Sequence, residues 1–254
     1  MRIESSFIQI PGIGEKSEQA LWEAGITDWR DGVDDSVISH SRRRRIDAFR
    51  TEAEAHLEAT NVQYFSHRLP SAERWRLAES FRDNITALDI ETTGLDQSRD
   101  YVTTVSLFDS KGAKTFIRGQ DLTAQRLTSA LEETDLLVTY NGARFDIPFL
   151  EAEFNLTVDR PHLDIMYPCQ SLGWRGGLKA VERRLGIERS LPDIDGLEAV
   201  RLWRQYQRGS ERALDRLVRY NQEDVRTLLP IVDEIVQALD TRLFYPHVPE
   251  TYRN

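Results

Sequence analysis

Ala87-Leu88-Asp89-Ile90-Glu91-Thr92-Thr93-Gly94-Leu95 is the stretch that decides the fold. Its apolar start predicts a strand over residues 85–90, and the glycine at 94 breaks it. Alternate residues of a strand face the same side, so Asp89 and Glu91 point together while Ile90 turns into a core. Further strands are expected at 101–108 and 115–118, joined by the turn Asp109-Ser110-Lys111-Gly112. The pattern then alternates: a helix over 122–132, a buried strand over 136–140, a helix over 145–154 and a fifth strand over 162–166. Helices are expected at 178–185, 196–206 and from 211 to about 239, the last kinked at Pro230.

Two more carboxylates join the first pair. Asp146 ends the run Tyr140-Asn141-Gly142-Ala143-Arg144-Phe145-Asp146 at a helix start, where the helix dipole favours an ionised acid. Asp224 ends Tyr220-Asn221-Gln222-Glu223-Asp224, and the four-residue spacing puts Tyr220 and Asp224 on one helix face. Hard divalent cations take oxygen ligands, and two of them held together can cut a phosphodiester. Each piece alone has a plainer reading: a solvated strand edge, a turn with a helix cap, two surface neighbours. Taken together and in this order, they point to a metal site. Of the nearby groups, Asp164 reads as structural, Glu223 as solvated, Trp174 as a hydrophobic anchor and Cys169 as a small buried residue; His56, His67 and His162 lack metal-ligand spacing.

The order D-x-E, N-x-x-x-F-D, Y-x-x-x-D resembles the three motifs of the DEDD (DnaQ-like) exonucleases on the ribonuclease H-like fold. The runs His162-Leu163-Asp164-Ile165 and Gly176-Gly177-Leu178-Lys179-Ala180-Val181-Glu182-Arg183-Arg184-Leu185-Gly186-Ile187 are similar to the YprB-like branch. Tyrosine four before the last aspartate, with Arg219 rather than histidine preceding it, implies the tyrosine subtype, DEDDy. The resemblance implies an α/β fold: a five-stranded mixed sheet, three antiparallel strands first, flanked by helices. It implies that Asp89, Glu91, Asp146 and Asp224 hold two divalent cations, Mg²⁺ or Mn²⁺, and that Tyr220 positions the attacking water. It further implies that Thr92, Thr93, Gly94 and Leu95 cradle the terminal nucleotide and that Asn141 and Phe145 line the substrate path. The implied activity is 3′→5′ removal of 5′-mononucleotides.

Residues 1–83 read as a small all-helical domain ahead of a catalytic domain over 84–254. Pro11-Gly12-Ile13-Gly14-Glu15-Lys16 and the helix after it resemble a helix-hairpin-helix over about 7–33, whose glycine turn offers backbone N–H groups to phosphate. Arg42, Arg43, Arg44 and Arg45 fall in a helix expected over 35–60, and another helix is expected over 71–81. With Gly12, Gly14 and Lys16, the four arginines are candidate nucleic-acid contacts, although such a run is more often only a solvated face.

Composition sets the frame. The 254 residues carry a net charge of −9, and Lys16, Lys111, Lys114 and Lys179 are the only lysines among 33 basic residues. An acidic, arginine-rich surface resembles proteins of salt-loving archaea, where binding a polyanion relies on local arginines and metal bridges. Cys169 is the only cysteine, so neither an intramolecular disulfide nor a cysteine-type zinc site can form. No signal-peptide core or bilayer-length apolar run is present, so a cytoplasmic enzyme with no membrane partner is expected. Single-stranded DNA is the first expected substrate, in repair or replication-associated processing. The alternatives are an exoribonuclease, a catalytically inactive nucleic-acid-binding scaffold, and a structure-specific endonuclease.

Overall fold

The computed structural model describes residues 1–33, 36–190 and 196–252. It divides into two compact units: residues 1–82 with those from Val232 onward, and residues 83–231.

The first unit is helical. It contains α1 (Glu15–Glu23), α2 (His40–Glu58), α3 (Val62–Arg68), a 3₁₀ helix (Ser71–Arg76) and α4 (Leu77–Ser80). α3 is absent from the sequence reading, which runs one helix through to 60; Thr60 instead takes φ 53°, and Asn61 caps α3 by accepting from Tyr64 N at 3.1 Å. The helix expected over 71–81 forms as a 3₁₀ stretch followed by one α turn. Trp22, Trp29, Trp75, Phe7, Phe65 and Phe81 fill the core. Glu18 is buried with them; it accepts from Phe7 N at 2.6 Å, Ile8 N at 3.0 Å and Arg76 Nη1 at 2.9 Å. Burial raises the Glu18 pKa, with the Arg76 charge acting against the rise. The C-terminal stretch, assigned from sequence to the catalytic domain, clusters with this unit: Phe244 packs edge-on to Trp22 at 5.1 Å, and Arg82 donates to Asp233 at 2.7 Å.

The second unit is a five-stranded sheet in the order β3-β2-β1-β4-β5. Its strands are β1 (Ile85–Thr92), β2 (Val102–Asp109), β3 (Gly112–Ile117), β4 (Leu136–Thr139) and β5 (His162–Asp164). The first three pair antiparallel; β4 lies parallel to β1 and β5 parallel to β4. Around them run α5 (Ala124–Glu132), α6 (Asp146–Phe154), α7 (Met166–Ser171), α8 (Leu178–Leu185), α9 (Gly196–Tyr206) and the part of α10 (Glu211–Leu243) that precedes Val232. This is the α/β architecture expected from the sequence. The fifth strand is shorter than expected because α7 begins at Met166, and α10 continues through Pro230 past the expected end. Leu88, Ile90, Val105, Leu107, Leu127, Leu137, Phe149 and Leu150 form one core.

Strand lengths open the site. β1 pairs with β4 only over Ile85, Thr86 and Ala87, so its last residues extend beyond the parallel neighbour. Open α/β sheets take ligands at the carboxyl ends of their strands. A bulge between Glu91 and Thr92 then shifts the register against β2, a device that re-aims side chains.

Candidate active site

Asp89 and Glu91 project from the free end of β1, opposite Ser106 and Thr104 of β2. One carboxylate oxygen from each of Asp89, Glu91 and Asp224 lies within 4.8 Å of the others. Asp146 stands outside that trio: as the first residue of α6 it accepts from Ile90 N at 3.1 Å, pairing an amide of the β1 overhang. Asp89 and Glu91 keep part of their surface accessible, whereas Asp146 and Asp224 are buried.

Electrostatics bind the four together. Desolvation, followed by the charges of Asp224 and Asp146, pushes Asp89 and Glu91 well above the usual carboxylate range. Desolvation also pushes Asp146 up to about 7 and raises Asp224, with Arg189 pulling Asp224 back. So many desolvated anions are costly alone and are well matched to a bound cation.

α10 supplies Tyr220, Asn221 and Asp224. Asn221 is fully buried; its Nδ2 donates to Asp89 Oδ2 at 2.6 Å, and its Oδ1 accepts from Thr104 Oγ1 at 3.0 Å and Ser106 Oγ at 2.6 Å. It therefore sets the Asp89 rotamer and ties α10 to β2. The sequence reading passed over Asn221; polar Thr104 and Ser106 within a buried strand were the available signal. Tyr220 is buried, with Lys179 Nζ 5.1 Å and Arg189 Cζ 5.9 Å from its ring centroid. Burial and the surrounding carboxylates push its phenol far above the ordinary value. Lys179 and Arg189 were also not singled out from sequence. Arg189 lies in a loop, where no helix or strand period points to it.

Two turns frame the carboxylates. After β1, Thr93 Oγ1 donates to Asp100 Oδ1 at 3.2 Å, and Asp100 Oδ2 accepts from Asp96 N at 2.9 Å. A Cβ on Gly94 would lie 2.3 Å from Asp100 Oδ2, so the turn needs glycine there. Thr92 is buried beneath it, while Leu95 at the tip is 83% exposed. After β4, Asn141 takes φ 65°, held by Asp164, whose carboxylate accepts from Asn141 N at 2.7 Å, Ala143 N at 3.1 Å and Met166 N at 3.1 Å. Phe145 packs on Phe149 at 5.1 Å. Tyr140, Asn141, Met166, Gln170, Arg175, Gly176 and Gly177 line a cleft of about 560 Å³ beside this turn.

Several plainer readings also have outcomes. Asp164 braces a loop; Trp174 and Cys169 are buried. Glu223, read as solvated, lies at the surface, where it accepts from Ser190 N at 3.0 Å and Ser190 Oγ at 2.6 Å in exposed hydrogen bonds.

The N-terminal candidates lie in the first unit. Gly12 takes φ 85° and Gly14 caps α1, but the segment before the turn is a three-residue 3₁₀ helix (Ile3–Ser5) followed by turns, with no α-helix. Arg42 Nε donates to Gly12 O at 3.2 Å and Arg45 Nη1 to Pro11 O at 2.9 Å, so two of the four arginines brace the turn's carbonyls. Arg44 and Lys16 are exposed, and Arg43 is half-buried.

The strand order and the carboxylates at the strand ends define a ribonuclease H-like domain. A family model of the RNase_H superfamily matches residues 87–236, and the chain belongs to that superfamily. Among solved structures, the family B DNA polymerase of the hyperthermophilic archaeon Pyrobaculum calidifontis is similar at 20% identity and a TM-score of 0.51; the match covers 60% of this chain and 24% of the polymerase, so the chain spans about a quarter of that protein's length. Brucella melitensis NrnC matches at 21% identity and a TM-score of 0.48, covering 65% of this chain and 78% of NrnC. The same protein with bound Mg²⁺ gives 20% identity and a TM-score of 0.47 over the same shares. The polymerase match is a likeness of fold alone. No curated protein sequence matches the chain. Among the described residues, no helix is long and apolar enough to cross a membrane.

Proposed function

We propose that the chain is a metal-dependent 3′→5′ exonuclease of the DEDDy type, releasing 5′-mononucleotides, with single-stranded DNA as its first substrate. The observation that carries this reading is the convergence of Asp89, Glu91 and Asp224 oxygens within 4.8 Å, with buried Asp146 adding its charge to the same site. The donor set is all hard oxygen and anionic, which fits Mg²⁺ or Mn²⁺ and disfavours soft metals. Two such ions, bound by these four carboxylates, would supply an activated water and neutralise charge on the leaving 3′ oxygen.

The chain's own groups do the rest. Burial raises the Tyr220 phenol pKa, which favours a role in orienting water by hydrogen bonding over one in taking its proton. Asn221 holds Asp89 in one rotamer. Lys179, half-buried over the Tyr220 ring, adds positive charge beside Glu91 and Asp224. Leu95, exposed at its turn, is placed to pack beside a terminal base, with Thr92, Thr93 and Gly94 shaping the cradle. Asn141 and Phe145 line the approach. In the first unit, the Gly12–Gly14 turn with Lys16 and the Arg42–Arg45 run, of which Arg42 and Arg45 brace the turn, would offer a phosphate contact that retains the nucleic acid. A task in DNA repair or replication-associated processing belongs to the same proposal.

The test uses 5′-labelled single-stranded DNA and RNA of one sequence, wild type and Asp89→Ala, with Mg²⁺, Mn²⁺ or EDTA. A metal-dependent ladder shortening from the 3′ end in wild type only is expected. RNA degraded in preference to DNA reassigns the substrate. Internal cuts in a 3′-blocked strand reassign the enzyme as an endonuclease. No cleavage under any condition refutes a nuclease acting by itself.

A further inference from the structure

Arg189 belongs to none of the three carboxylate motifs, yet it reaches the carboxylate site. Its Nε donates to Glu182 Oε2 at 2.8 Å and its Nη2 to Glu182 Oε1 at 2.7 Å, the paired geometry in which guanidinium and carboxylate bind best. The same Nη2 also donates to Asp224 Oδ1. Glu182 is 2% exposed and also accepts from Thr227 Oγ1, and the Arg189 side chain is 8% exposed. The next residue, Ser190, is fastened to Glu223, so the loop is tied to α10 at two adjacent positions.

This arrangement separates anchoring from contact. The paired hydrogen bonds to Glu182 hold the guanidinium in place whatever Asp224 does. Asp224 therefore meets a cation with one oxygen already engaged. A fixed positive charge a few ångströms from the ligand set repels an arriving cation, and a hydrogen bond behind a ligand fixes its direction.

We propose that Arg189 is a positioning residue for the Asp224 limb of the metal site: it leaves that carboxylate one free oxygen, and it loosens cation binding while fixing the ligand's geometry. The inference rests on the metal-site reading above.

The test is calorimetric titration of Mn²⁺ into the full chain at pH 8.5 without nucleic acid, paired with steady-state cleavage. Arg189→Gln is expected to bind Mn²⁺ about tenfold more tightly than wild type while kcat falls about tenfold and KM holds. Arg189→Lys keeps the charge and should bind Mn²⁺ as wild type does, with part of the turnover. Arg189→Gln leaves Glu182 buried without its partner. If that variant does not fold, Glu182→Gln/Arg189→Gln is compared with Glu182→Gln alone, so that the Arg189 charge is the only difference between the two chains. A folded Arg189→Gln chain that binds Mn²⁺ no more tightly than its counterpart with Arg189 overturns the role of Arg189 alone. A wild type that takes up no Mn²⁺ overturns the metal site and the proposal with it.

Discussion

Replacing Asp146 by asparagine should stabilise the metal-free protein. The carboxyl is buried, and its pKa is raised from 3.8 to about 7 by desolvation and neighbouring carboxylates. Asparagine keeps an oxygen to accept from Ile90 N and removes the charge. Below about pH 3 the acid is protonated in both folded and unfolded chains and contributes no pH-dependent penalty. As pH rises towards 7, the unfolded chain has already released the proton that the folded chain retains, so stability declines. By pH 8 the full shift of about three units applies, and at about 1.4 kcal/mol per unit it amounts to at most about 4 kcal/mol. For a chain of this size that raises the variant's Tm by on the order of 10 °C. Calorimetric melts in EDTA at pH 5 and pH 8 make the check, with Mn²⁺ added as a third arm. The variant should gain most at pH 8, and the gain should shrink when Mn²⁺ supplies the missing positive charge. Superimposable wild-type and variant melts at pH 8 in EDTA would refute the picture of a desolvated, mutually repelling cluster.

Three further outcomes follow from the same geometry. Tyr220→Phe should lower kcat roughly 10- to 100-fold with little change in KM, and should not remove a limb from the pH–rate profile between pH 6 and 9; a lost acidic limb would make the phenol a true base. Asn221→Ala removes three hydrogen bonds and leaves Thr104 and Ser106 hydroxyls buried, which should cost roughly 2–4 kcal/mol in denaturant unfolding as well as activity; an unchanged midpoint would mean that the hydroxyls find other partners. Gly142→Ala would bring a methyl carbon within 2.3 Å of Thr139 Oγ1, displacing the Asn141 turn at a cost of about 1–3 kcal/mol, and wild-type stability in that variant would show that the turn yields freely.

The sequence carried the architecture because most of it is written in short-range pattern. Strands at 85–90 and 101–108 announce themselves by apolar alternation and end at glycine or turn residues. The five-stranded mixed sheet with its antiparallel beginning was what the resemblance to the ribonuclease H-like fold implied, and the sheet order β3-β2-β1-β4-β5 agrees with it. The D-x-E pair was legible because a strand's two-residue period needs no knowledge of the rest of the fold. What was hidden depends on contacts far apart in the chain. Asn221 meets β2 across 117 and 115 residues, and Arg189 meets Asp224 across 35. α3 was hidden for a local reason: Thr60 breaks the backbone path with neither glycine nor proline to mark it. α10 reads as one uninterrupted amphipathic helix, and nothing in its period marks Val232 as the point from which the chain clusters with the first unit.

The free end of β1 has a consequence for observing the site. Where β4 stops, the amide of Ile90 finds a carboxylate in place of a backbone carbonyl. That N–H is therefore a spectroscopic probe placed by the fold inside the cluster. Its chemical shift and its exchange with deuterium should respond to the arrival of a cation at Asp146, in the intact chain and without any substrate.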